Sequence, residues 1–316
     1  MKTPNLTRTL LPIAVAAACL IPRMPPAAAL LLGIAVAALP GRPKIRHGAS
    51  LSRILLQVSV VALGLGLNIH VLLRTGLEGL GLSALTVAVT FAAGILLARL
   101  LHLERSASRL VSAGTAICGG SAIAAVAQAT RADDDAVGTA MGTVFLLNAV
   151  ALIIFPPLGH LLGMDPRAFG TWAGVAVHDV SSVVGAAAAF NPAALPVAIA
   201  TKLARTLWII PISLAAAHLT ARRSGAKAGK GAKVPLFLLG FVAASLLSTL
   251  FPPVREAAPL LATLARSGFT LALFLVGLGV HLDKIRQSGW RILAQGSIQW
   301  ALTAGISLAW ILTNRH

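Results

Sequence analysis

The stretches AGTAICGGSAIAAVA (113–127) and AGVAVHDVSSVVGAA (173–187) decide how this chain is read. Each is a run of small residues with polar groups at its middle. The first carries Cys118, Gly119, Gly120 and Ser121; the second carries His178, Asp179, Ser181 and Ser182. Small side chains let backbones approach closely. A helix interrupted at mid-membrane turns its freed N–H and C=O groups toward a solute instead of lipid. The two stretches predict a pair of broken or re-entrant helices that hold a ligand between them.

Their surroundings are those of a membrane. The 316 residues are 57% hydrophobic and 11% charged, with a mean hydropathy of +0.86. The apolar residues come in long blocks, the pattern of a polytopic all-α transmembrane protein. The short alternating segments of a β-barrel are missing from the sequence. About eleven hydrophobic segments are read, near 10–22, 27–40, 51–73, 79–101, 110–130, 136–160, 171–190, 193–219, 234–251, 260–282 and 290–313. Residues 1–29 also have the outline of a cleaved signal, with Lys2 and Arg8 ahead of an apolar run and Ala27–Ala29 behind it. A further apolar segment follows at once, as in a multi-pass protein that keeps its first segment.

The net charge of +17 points to cytoplasmic loops, where membrane proteins concentrate Lys and Arg, and not to nucleic acid. Arg42, Lys44, Arg46 and Arg53 crowd one loop, and Arg99, Arg105 and Arg109 another. Arg222, Arg223, Lys227, Lys230 and Lys233 mark a cytoplasmic linker over 220–233, and Lys284, Arg286 and Arg291 mark a fourth basic loop. Placing these four inside the cell puts the N-terminus in the cytoplasm. The whole chain, 1–316, then reads as one integral membrane domain. Its first half runs over about 27–160 and its second over about 171–313. LGLGLNIHVLLRTG (63–76) and VGLGVHLDKIRQSG (276–289) align glycine on glycine, and an odd number of crossings between them makes the halves inverted.

Charges inside an apolar span are functional candidates because burying them is expensive. Lys202 and Arg205 lie in the middle of 193–219, three apart and so on one helical face. They predict an anion site or a charge pair with Asp179. His178 titrates near neutral pH when unperturbed, and with Asp179 it is a candidate for coupling transport to H+ or Na+. Gly119, Gly120 and Ser121 suit a half-helix N-terminus whose N–H groups favour an anion; Ser181 and Ser182 add hydroxyls from the other break. Asp133, Asp134 and Asp135 read as the acidic start of a helix. Asn68 and His70, like His281 and Asp283, read as caps at segment ends. Asn148, in mid-segment, either bonds across helices or lines the pathway. Cys19 and Cys118 have no pairing or metal-ligand spacing, and no cofactor or metal site is expected. No Walker-type phosphate loop occurs. His178, Asp179 and Ser181 are too close in sequence, and too far from any strand–turn–helix elbow, for a hydrolytic triad. An enzyme is not expected.

TAICGGSAIAA (115–125) and WAGVAVHDVSSVVGAA (172–187) closely resemble the YeiH-type family of bacterial inner-membrane proteins, named for sulfate export. The resemblance runs from about residue 27 to the C-terminus. More distantly, the order LGLGLNIH, 79–101, CGGSA, DDDAVGTAMG is similar to the bile-acid/sodium symporter and cation–proton antiporter superfamily, which places Gly119, Gly120 and Ser121 at a first helix break. These resemblances imply a secondary transporter working by alternating access, with a small anion, sulfate or an organic sulfonate, as solute. Its binding residues would be Gly119, Gly120, Ser121, Ser181, Ser182, Lys202 and Arg205. The competing reading is a cation/proton antiporter or ion channel using Asp179 and the Asp133–Asp135 cluster. The expected partners are the solute and the lipid bilayer, with a homodimer left open.

Overall fold

The computed structural model describes residues 6–20, 24, 26–38, 48–66, 68–224, 236–278 and 289–314. All regular structure among them is helical: α1 (Leu6–Ala18), α2 (Pro26–Ala38), α3 (Gly48–Gly64), α4 (Ile69–Glu78), α5 (Leu80–Leu100), α6 (Arg105–Ala116), α7 (Gly120–Thr130), α8 (Asp134–Leu161), α9 (Pro166–Ala176), α10 (Val180–Phe190), a 3₁₀ turn (Pro192–Ala194), α11 (Leu195–Thr206), α12 (Ile209–Ser224), α13 (Leu236–Leu250), α14 (Pro252–Leu278) and α15 (Trp290–Thr313). Three helical stretches among the described residues have the length and composition to cross a membrane: Leu80–Leu100, Asp134–Leu161 and Pro192–Arg222. The basic residues at 42–46, most of the linker at 220–233, His281, Asp283, Lys284, Arg286 and most of the glycine-marked copy at 276–289 lie outside the described residues.

The segment ends follow local chemistry. Asp133 accepts from Ala136 N at 2.7 Å, and Asp134 and Asp135 fill the first turn of α8. This is the helix start expected of them, with acid against the positive end of the dipole. Asp165 caps α9 ahead of Pro166, whose missing N–H costs nothing there. Two segments read as continuous are interrupted. The stretch 51–73 leaves the helix after Gly64 and resumes at Ile69, where Asn68 Oδ1 accepts from His70 N at 2.8 Å. The stretch 193–219 turns at Leu207–Trp208, just before Pro211.

The chain divides into two compact units, Met1–Leu72 with Pro235–Leu282 and Leu73–Val234 with Asp283–His316. In the first, α14 packs on α2 and α3, and α3 packs on α13. Cys19, Ala29, Val36, Phe274 and Leu275 form its core. The α2–α14 approach depends on Gly33, since a Cβ there would lie 2.3 Å from the Phe274 carbonyl oxygen. Small residues at such crossings let backbones touch. Gly33→Ala is therefore expected to force the two backbones apart and to destabilise the protein by about 1–3 kcal/mol. A lowered melting temperature of the purified variant in detergent checks this; an unchanged one removes Gly33 from the packing argument.

In the second unit, α6 packs against α5, α7, α8 and α15, while α9 packs on α11 and α15. Leu110, Val111, Ile123 and Val144 lie in its core. Gln295 and Gln299, one turn apart on α15, both donate to Ser112 Oγ at 3.0 Å and hold α15 on α6. At the surface Glu78 joins Arg74 (2.9 Å) and Arg167 (2.7 Å). The hydrogen bond from Arg74, with that from Arg167, holds the Glu78 carboxyl below its ordinary value. All three side chains are exposed, so the pairs contribute little stability.

Candidate functional site

Both small-residue stretches are broken helices. Glu104 starts α6 by accepting from Ser106 N and Ala107 N, each at 2.6 Å. After Ala116 the chain leaves helical geometry: Ile117 has φ −119 and ψ −88, and Gly119 has φ 69 and ψ −127. The second pair of angles is open in practice to glycine alone. Helix resumes at Gly120 with no side-chain cap. The other break is built differently. Val177 and Asp179 are extended, and Asp179 caps α10 by accepting from Ser182 N at 2.8 Å.

The two breaks meet. A Cβ on Gly119 would lie 3.4 Å from Asp179 Cβ and 3.6 Å from the His178 carbonyl carbon. α8 clamps the junction through Asn148, whose Oδ1 accepts from His178 N at 3.0 Å and whose Nδ2 donates to Asp179 Oδ2. Asp179 also accepts from Ser181 Oγ and, at 2.9 Å, from Ser182 Oγ. The Ser181 and Ser182 hydroxyls thus fix the carboxylate.

α11 brings two cations to the first break. Lys202 and Arg205 are both 0% exposed. Lys202 Nζ donates to the Ile117 carbonyl at 3.4 Å and Arg205 Nε to the same oxygen at 3.1 Å. Arg205 Nη1 donates to Thr86 Oγ1 at 2.7 Å, and Nη2 has no hydrogen-bond partner. The charge pair with Asp179 does not form. The ion pairs among the described residues are those of Glu78. The reason is geometric: Asp179 is engaged as a cap, and the break supplies the cations with a freed carbonyl instead. His178 is buried, neither ring nitrogen has a partner, and its ring centroid is 6.5 Å from that of Trp300.

Of the sequence candidates, Gly119, His178, Asp179, Ser181, Ser182, Lys202 and Arg205 come together at this crossing. Gly120 faces Met141 Sδ, 3.3 Å from where its Cβ would be, and Ser121 lies on an exposed face of α7. Asn148, read as bonding across helices or lining the pathway, bonds across to the second break, and Thr86 is a part of the site that the residue pattern did not single out. Nothing in the sequence marks the Ile117 carbonyl, because backbone geometry alone exposes it.

The family model described as Conserved hypothetical protein 698 matches residues 12–296. The chain belongs to this family. Curated relatives are called UPF0324 membrane proteins. The chain is similar to one from Bdellovibrio bacteriovorus, 40% identical over 313 residues and covering 99% of this chain and 96% of that protein. It is also similar to one from Vibrio parahaemolyticus, 40% identical over 294 residues with 93% and 95% covered, and to one from Porphyromonas gingivalis, 44% identical over 293 residues with 91% and 87% covered. No solved structure matches the chain. The three long apolar helical stretches agree with a family of membrane proteins.

Proposed function

We propose that the chain is a secondary active transporter of a small anion, sulfate or an organic sulfonate, working by alternating access in the bacterial inner membrane with its N-terminus in the cytoplasm. One observation carries this reading. Lys202 and Arg205 are fully buried, lack a carboxylate partner within salt-bridge distance among the described residues, and turn onto the carbonyl freed by a helix break. Buried charge is costly unless it is paired. Inside an apolar span such charge is kept for a solute or ion pathway. The resemblance of both motifs to the sulfate-exporter family supports the same solute class.

Two inverted halves are part of this proposal. Both breaks join helices of nearly equal length, α6 and α7 with 12 and 11 residues and α9 and α10 with 11 each. The cation antiporter has weaker support, since Asp179 already accepts from Asn148, Ser181 and Ser182, and Asp133 caps α8. The test is uptake of radiolabelled sulfate and a small sulfonate into proteoliposomes, with and without an imposed pH gradient. Saturable, gradient-sensitive flux is expected. Absence of flux for both solutes in folded protein, together with a pH change on adding Na+ or K+, would replace this reading by the antiporter.

His178 is the proposed coupling group, a titratable ring at the crossing with both nitrogens free of partners. His178→Asn is expected to flatten the pH dependence of flux. An unchanged profile would leave Asp179 as the coupling residue.

A further inference from the structure

We infer that the anion site extends from Arg205 along the seam between α5 and α11, where the hydroxyls of Ser83 and Thr201 bind oxyanion oxygens together with Arg205 Nη2. This rests on the anion-carrier reading and adds residues to its site.

The seam is set by helical spacing. Gly79, Ser83 and Thr86 are four and three residues apart and lie on one face at the start of α5; Thr201 and Arg205 lie one turn apart on α11. Two contacts bring these faces together. Arg205 Nη1 donates to Thr86 Oγ1 at 2.7 Å, and a Cβ on Gly79 would lie 3.9 Å from Thr201 Cγ2, the methyl that also packs on Gly174 of α9, where a Cβ would lie 3.0 Å from it. Along α5, Ser83 lies between the residues that make these two contacts. Ser83 and Arg205 are 0% exposed and Thr201 is 2% exposed, yet Ser83 Oγ, Thr201 Oγ1 and Arg205 Nη2 all lack a hydrogen-bond partner.

Neighbouring hydroxyls on the same helices behave differently. Thr86 donates to the Leu82 carbonyl at 2.8 Å, Thr90 to the Thr86 carbonyl at 2.6 Å and Thr206 to the Lys202 carbonyl at 2.9 Å. Such bonds to the preceding turn are the ordinary way to bury a hydroxyl in a helix. Ser83 and Thr201, on the two helices joined by the Arg205–Thr86 bond, decline them. Buried polar groups without partners are uncommon and costly. Carried on the two helices that meet at the Arg205–Thr86 bond, these three groups offer a donor set for a small, multiply bonded oxyanion, with charge from Arg205 and direction from the hydroxyls.

The experiment is calorimetric titration of inorganic sulfate into the purified full-length protein in lipid-free detergent, which separates the free ion from a lipid headgroup. Ser83→Ala and Thr201→Val are each expected to weaken binding about tenfold. Neither should lower the melting temperature, and Thr201→Ser should restore affinity. Affinity within about twofold of the unaltered protein in both variants, or loss in Thr201→Val that Thr201→Ser does not recover, would overturn the seam. Unaltered protein that binds neither sulfate nor a small sulfonate would overturn the carrier reading and the seam with it.

Discussion

Lys202→Met is expected to weaken sulfate binding about a hundredfold and, at the same time, to leave the melting temperature unchanged or raise it. The first effect follows from removing a charge-assisted donor from a dry site, where hydrogen bonds to ions are worth about 1.5–3 kcal/mol. The second follows from burial. Lys202 is 0% exposed, and among the described residues its side chain makes one hydrogen bond, a long one of 3.4 Å to the Ile117 carbonyl. Replacing a poorly compensated buried ion with an apolar side chain of similar volume is commonly neutral or stabilising, by about 1–4 kcal/mol. The two signs together separate the roles. A cation kept for a ligand trades stability for binding; a cation kept for the fold does not. Thermal unfolding and sulfate titration on the same preparation read both. A destabilised variant with unchanged affinity would make Lys202 structural and remove the observation on which the anion carrier stands.

Gly119→Ala is expected to cost about 1–3 kcal/mol in stability and to abolish saturable uptake, whereas Gly120→Ala should be near neutral. The glycines are neighbours, and their spaces are alike: the nearest atom to an added Cβ would be 3.4 Å away at Gly119 and 3.3 Å away at Gly120. Room therefore does not distinguish them. Conformation does, because Gly119 has φ 69 and ψ −127 while Gly120 opens α7. Alanine at Gly119 pulls the backbone toward allowed angles, which turns the Ile117 carbonyl away from α11 and the break away from Asp179. Equal melting temperatures and equal uptake for the two variants would sink this account of the break.

The fold was largely legible because apolar blocks report helices directly. Nine of the eleven blocks correspond to helices or broken pairs as read. The exceptions, 51–73 and 193–219, are interrupted near Gly64–Gly66 and Leu207–Trp208, where hydropathy stays high and only backbone preferences change. The site was half legible. Small polar residues in an apolar run announced both breaks, and two cations in mid-segment announced α11. What could not be read was partnership. Charge alone left a pair with Asp179 open beside an anion site for Lys202 and Arg205, but Asp179 is taken by a helix terminus and by Asn148, 31 residues away in sequence. The Ile117 carbonyl, shared by both cations, has no signature in its side chain. Ser83 and Thr201 look like any hydroxyls until the bonds of their neighbours are compared with theirs.

The crossing holds two formal cations, Lys202 and Arg205, and one carboxylate, Asp179, so its formal charge is 2 − 1 = +1. A bound dianion makes it +1 − 2 = −1. On the carrier reading, an empty and a loaded crossing then feel the membrane potential with opposite signs, at about 2.3 kcal/mol per charge and 100 mV for passage through the full field. Voltage would drive the two half-cycles in opposite senses. With His178 neutral, an inside-negative membrane would pull the empty site inward and push the dianion-loaded one outward, so that the resting potential favours efflux.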